Sequence, residues 1–187
     1  MNGKIHVAVG VSTLAALCIK YPTGFDFFDV TILPQAALAT AALGSYAPDW
    51  DLKPMHYSQG KKGVKKKVAQ ARTKVVNKVT GGHRGITHTL LFPAILTYLL
   101  VIINEYLSGL PSLASLLQSL LFGFWFGWVM HIFADLFNGK GVPLFWPLMQ
   151  SKVHIMDVDS EGWQPWAWLF IYVAIVFYYL FRGELGL

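Results

Sequence analysis

The chain has 187 residues, 55% of them hydrophobic and only 13% charged, and its 15 Lys and Arg against 10 Asp and Glu give a net charge of +5. Soluble domains carry roughly 25% charged residues; with a mean hydropathy of +0.47 here, a water-soluble globular protein is excluded. The expectation is an all-α integral membrane protein of one domain, residues 1–187, with about five membrane helices. The single cysteine, Cys18, lies inside an apolar run and reads as small packing material, which excludes an internal disulfide.

Met1–Lys4 followed by Ile5–Ile19 has the outline of a secretory signal, but it lacks a small-x-small cleavage pattern. Leu17 before Cys18 also departs from a lipoprotein-type site, so the segment is expected to stay in the mature protein. Segment one, Ile5–Ile19, is short of the roughly 20 residues that cross a bilayer unaided. Segment two, Val30–Ala47, places Ala36, Thr40 and Gly44 every fourth residue, a spacing that lets membrane helices approach closely. The two should pair, joined by Tyr21–Asp29. Pro48 disfavours helix at Ala47, so Asp49 and Asp51 are expected on a turn where segment two stops.

Residues 52–85 are of different composition. Lys53–Arg84 is rich in Lys and Arg and has no acidic residue, with Lys61, Lys62 and Lys65–Lys67 set among loosely periodic valines. A basic amphipathic helix or loop on the membrane surface, a topology determinant that also holds anionic lipid, fits this stretch. Nucleic acid is the weaker partner, because only Tyr57 could stack on a base. Segment three, Ile86–Leu107, opens on His83-Arg84-Gly-Ile-Thr87-His88. Segment four, Leu113–Phe137, carries His131 and Asp135 four residues apart, hence on one helix face. Segment five, Trp163–Phe181, begins with Trp163, Trp166 and Trp168, an interfacial aromatic belt.

The excess of lysine places residues 52–85 in the cytoplasm. The N-terminus, His6, Asp49, Asp51, His88, His131 and Asp135 then all fall near the cytoplasmic face, one or two per segment. Buried imidazoles and carboxylates are typical ligands of a divalent metal, most of all zinc. A helix-to-helix hydrogen-bond network is the structural alternative, but it has no need of this mixture of His and Asp. His56 and His154 lie in loops and are expected to be solvated.

His6, Pro48-Asp49-x-Asp51, His83-Arg84-x-x-Thr87-His88, His131-x-x-x-Asp135 and Gly141-Val-Pro-Leu-Phe-Trp-Pro147 occur in this order along the chain. That ordered set resembles the LexA-regulated, inner-membrane, metal-dependent hydrolase family, itself distantly similar to zinc-dependent phospholipase C and P1-type nucleases. The resemblance implies that Asp49, His88, His131 and Asp135 bind one ion, and that His6, sharing Asp135, helps to bind a second. It implies metal-assisted hydrolysis, with Asp51 (or Asp49, if that is not a ligand) as proton acceptor. Arg84, beside His83 in the catalytic group, would meet an anionic phosphoester such as a phospholipid headgroup. Two other classes compete. A metal or proton transporter predicts ionisable groups at mid-membrane or on both sides. A non-catalytic adaptor, binding anionic lipid or nucleic acid through Lys61–Lys67, predicts that His88→Ala is harmless.

Overall fold

Small residues set how closely the helices of this bundle approach. The computed structural model describes residues 3–28, 30–51, 86–107, 109–149, 151–159 and 162–183. Among these residues are five α-helices: α1 (Gly3–Lys20), α2 (Pro34–Tyr46), α3 (Leu91–Tyr106), α4 (Pro111–Leu136) and α5 (Gln164–Phe181). Two 3-10 turns, Ala47–Asp51 and Ile86–His88, follow α2 and precede α3. The expected all-α membrane architecture is what the chain adopts. Three of the helices, α1, α4 and α5, are long and apolar enough to cross a membrane.

The expected membrane helices differ in length. Helix α2 has 13 residues, about 20 Å at 1.5 Å per residue, against a hydrocarbon core of about 30 Å. Helix α3 has 16 residues. Segment two loses its start because Val30–Ile32 is a β-strand (β2), paired antiparallel with β1 (Phe25–Phe27). The stretch expected as a plain connection is therefore a hairpin. Alternation is the reason: Val30 and Ile32 are buried while Asp26 and Thr31 point out, the Thr31 hydroxyl donating to Asp26 Oδ1 at 2.9 Å. Phe25 and Phe27 lay their rings against Phe122 of α4, at 5.6 and 4.9 Å between centroids. Pro34 then opens α2 at its first turn, where a missing N–H costs nothing.

Segment three also begins later than expected. Pro93 has no N–H to bond the carbonyl of Thr89, so the helix cannot extend back through His88. His88 sits instead on the 3-10 turn, and Thr89 Oγ1 accepts from the N–H of Leu91 at 3.3 Å. The expected basic helix lies outside the described residues.

The tightest packing joins α2 to α4, two parallel helices. Leu33 N–H donates to Ser119 Oγ at 2.7 Å. One turn further on, the carbonyl of Ala37 abuts Gly123, and after another turn the carbonyl of Ala41 abuts Gly127. A fourth step pairs Ser45 with His131. The seam is thus Leu33–Ala37–Ala41–Ser45 against Ser119–Gly123–Gly127–His131. Its α2 side runs one residue over from the expected Ala36 and Thr40, though Gly44 also meets the backbone of Phe124. Thr40 adds a hydrogen bond from its hydroxyl to the carbonyl of Leu120. Helix α1 packs on α2, α4 and α5, with Thr13 and Tyr172 hydroxyls 2.7 Å apart.

After α4 the chain forms a hairpin-like loop. Val142 and Val153 exchange backbone hydrogen bonds at 2.9 Å each. Its base is fixed to the end of α4 by Ile155 N–H to the Leu136 carbonyl (2.7 Å) and Val158 N–H to the Phe137 carbonyl (2.9 Å). Leu90 N–H bonds the carbonyl of Leu144 at 3.0 Å, joining this loop to the turn that carries His88.

Candidate metal centre

Because α2 and α4 are parallel and α1 runs against them, one end of the bundle collects the start of α1 and the ends of α2 and α4. The turn before α3 closes the same end. Each contributes a polar side chain: His6 from α1, Asp49 from the first 3-10 turn, His88 from the second, and His131 and Asp135 from α4. His88 and His131 are 0% exposed, and His6 and Asp135 1%. Burial this complete demands compensation for every polar atom. Asp49, with 13% of its side chain exposed, is the edge of the cluster nearest solvent.

The nitrogens and oxygens converge on a small volume. His131 Nε2 lies 3.3 Å from His88 Nε2 and 3.7 Å from Asp49 Oδ1. His88 Nε2 is 3.6 Å from Asp135 Oδ2 and 3.9 Å from Asp49 Oδ1. His6 approaches the other carboxylate oxygen, with Nε2 3.3 Å from Asp135 Oδ1, and its ring stacks on His131 at 3.9 Å. Charge-assisted hydrogen bonds are about 2.7–2.9 Å long. Four donors tetrahedrally placed 2.0–2.2 Å from one ion would lie about 3.3–3.6 Å apart. The observed separations match the second pattern better than the first. Two triads, His6–Asp49–His131 and His88–His131–Asp135, bring one ligand atom each within 4.8 Å of one another and could hold a metal ion.

Orientation is set from outside the cluster. His131 Nδ1 is 2.7 Å from the carbonyl oxygen of Ser45. A carbonyl only accepts, so Nδ1 carries the proton and Nε2 turns a lone pair towards His88 and Asp49. His88 Nδ1 is 3.0 Å from Thr87 Oγ1, a hydroxyl that can accept a hydrogen bond from Nδ1–H or donate one to Nδ1. Trp128, one turn before His131 on α4, donates its indole N–H to the Thr87 carbonyl at 2.8 Å, and its ring stacks on Phe92 at 3.8 Å. The donor set therefore fits a cation. The His131 Nε2 lone pair and the carboxylates of Asp49 and Asp135, gathered with His88 and His6, are donors of the kind a divalent cation takes.

The structure brings together all five residues expected as metal ligands: His6, Asp49, His88, His131 and Asp135. Of the three expected as catalytic, Arg84 and His83 lie outside the described residues, and so does the Asp51 side chain. His154 is half exposed beside Asp157 at 3.8 Å, away from the centre; His56 lies outside the described residues. Sequence reasoning missed Ser45, Thr87 and Trp128. Ser45 and Thr87 act largely through backbone carbonyls, which every residue type carries; the Trp128 indole left a signal, one turn before His131.

A family model described as YdjM inner membrane protein matches residues 1–185. The uncharacterized protein YvsG of Bacillus subtilis is 29% identical over 188 residues, 99% of both chains. The inner membrane protein YdjM of Escherichia coli and that of Shigella flexneri are each 33% identical over 108 residues, 58% of this chain and 47% of theirs. No solved structure matches the chain.

Proposed function

This chain belongs to the YdjM inner membrane protein family, and from that premise we propose that it is a membrane-bound, metal-dependent hydrolase acting on a phosphoester at the cytoplasmic face. The observation that carries the reading is His131: its Nδ1–H is spent on the Ser45 carbonyl, so its Nε2 lone pair faces the Nε2 of His88 and a carboxylate. In metal sites the ligand histidine is held in this way by a carbonyl or carboxylate behind it.

Asp49, His88, His131 and Asp135 would hold one ion of zinc type. His131 has one free lone pair and cannot serve both triads at once. A second ion would therefore rest on His6 and the Oδ1 of Asp135, the oxygen facing away from His88. Such a metal supplies Lewis acidity that brings the pKa of water near 7. The chain's own residues do the rest. Burial of His6, His88, His131 and Asp135 keeps bulk water from these groups, while the partly exposed Asp49 marks the edge nearest solvent. Asp51 follows Asp49 by two residues and is the candidate proton acceptor; Arg84, next to His83, is the candidate for binding the phosphoryl oxygens bidentately. LexA-linked regulation is part of the same family resemblance.

Placement of the ionisable groups favours hydrolysis over transport. The histidines and acids of α1 and α4 are His6, His131 and Asp135, all at one end. The mid-helix polar groups Gln118 and Ser119 are neutral and hydrogen-bonded to backbone carbonyls. The test is metal analysis of detergent-purified protein together with hydrolysis of a nitrophenyl phosphodiester and of phospholipid. The native chain should carry one or two zinc-type ions, and His131→Ala should lose metal and activity together. Full occupancy in that variant would sink the assignment.

A further inference from the structure

The loop closed by Val142 and Val153 carries an exposed apolar tip. Phe145 is 48% exposed, Leu148 90% and Met149 55%, and Ile155 and Met156 on the returning strand are 58% and 52% exposed. Chains that end in water do not usually cluster large apolar side chains at the tip of a hydrogen-bonded loop. The loop is held in place rather than trailing: its base is bonded to Leu136 and Phe137, and Leu144 is bonded to Leu90. Val142 is 0% exposed and packs with Ala47, Trp128 and Ile132, under the metal centre.

We propose that this hairpin, residues 142–149 and 151–153, is an interfacial membrane anchor whose tip enters the headgroup–acyl boundary of the bilayer beside the candidate metal centre. Two observations select lipid over a second copy of the chain. The first is continuity with the helix that follows. Helix α5 starts at the same end of the bundle, Phe137 meeting Trp168 at 4.8 Å between ring centroids. It opens with Trp163 and Trp166, 75% and 52% exposed, in the way aromatic residues mark the level of the headgroups. The second is charge. Exposed Lys140 and Lys152 flank the base of the hairpin; Lys140 shares a cavity with Asp157 and Asp159, which leaves Lys152 as the cation suited to anionic headgroups around an inserted apolar tip. The anchor holds the open edge of the centre at the bilayer surface, so that a lipid-borne phosphoester reaches it before a free one. That last consequence rests on the hydrolase reading; the insertion itself does not.

The experiment uses the full chain in vesicles of phosphatidylethanolamine and phosphatidylglycerol. Leu148→Cys and, separately, Met149→Cys and Asp159→Cys are made in a Cys18→Ser background and labelled with bimane. Lipids bearing a doxyl quencher should reduce the signal at positions 148 and 149 at least twofold more than at 159, and aqueous iodide should show the reverse order. Iodide quenching at 148 and 149 equal to that at 159 overturns the proposal. Protection from both quenchers, which a covering protein surface would give, overturns it as well. Neither readout involves metal or turnover, so its failure is distinct from a failure of the hydrolase reading.

Discussion

The backbone carbonyl of Ser45 fixes the tautomer of His131, while the Ser45 hydroxyl, wholly buried, has no hydrogen-bond partner among the described residues. The two halves of one residue therefore predict opposite outcomes from what its side chain would suggest. Ser45→Ala keeps the carbonyl and removes an unsatisfied hydroxyl, so metal affinity should stay within about twofold. Stability should be unchanged or rise by up to about 1 kcal/mol. Zinc titration and detergent unfolding of the variant check both statements. Trp128 gives the contrasting case. Trp128→Phe preserves a ring to stack on Phe92 but deletes the N–H that holds the Thr87 carbonyl. Loss of such an outer partner typically costs 10–100-fold in metal affinity, and the smaller ring in this buried site lowers the unfolding temperature as well. A cobalt-substituted spectrum would show the altered ligand field directly. At this scale the sequence announced the ligand side chains, because imidazole and carboxylate inside apolar segments are costly and conspicuous. It was silent on the carbonyls that aim them.

At the scale of elements, the α2–α4 seam decides how near Ser45 can come to His131. A Cβ on Gly127 would run into the carbonyl of Ala41, and one on Gly123 into the carbonyl of Ala37. Gly127→Ala must push two backbones apart, and overpacking of this kind costs about 1–3 kcal/mol. Because Gly127 is one turn from His131, the same substitution should weaken metal binding. Gly109→Ala, which meets nothing within 4 Å, is the control and should leave unfolding and metal binding unaltered. Small residues at four-residue spacing were visible in Val30–Ala47, and close packing of that segment followed from them. The expected partner was segment one, and α2 does pack on α1, but its tightest seam is with α4; α1, α2 and α4 all carry small residues and only the three-dimensional register selects the pair. The hairpin of β1 and β2 was hidden for a different reason. Three-residue strands are too short for alternation to stand out beside an apolar helix that starts two residues later.

Across the whole molecule, a bound ion would tie together α1, both 3-10 turns and α4, elements separated by long stretches of chain. Stabilisation by a ligand that binds only the folded state is about 4 kcal/mol at 1,000 times its dissociation constant. Chelation should therefore lower the unfolding temperature of the native chain and leave that of His131→Ala where it was. A second prediction concerns orientation. The lysine excess of residues 52–85 predicts a cytoplasmic position for that stretch, so a label at Ser58→Cys, in the Cys18→Ser background, should resist a membrane-impermeant maleimide in intact cells and react after lysis. Reaction in intact cells would invert the topology. One end of the bundle as a gathering point was readable from the alternation of segments. The shortness of α2 and α3 was not, because hydropathy does not report where β2 and a proline shift a helix boundary.

The order in which the ligands are synthesised has a consequence for biogenesis. His6 is made first and Asp135 last, with most of the chain between them, and the hairpin that braces His88 through Leu90 is made later still. The ribosome will have delivered four helices to the insertion machinery before the centre can close. Until then His6 and Asp49 are already held in nascent helices without their partners. An ion bound at the proposed centre would therefore be taken up late, after these elements are in the membrane.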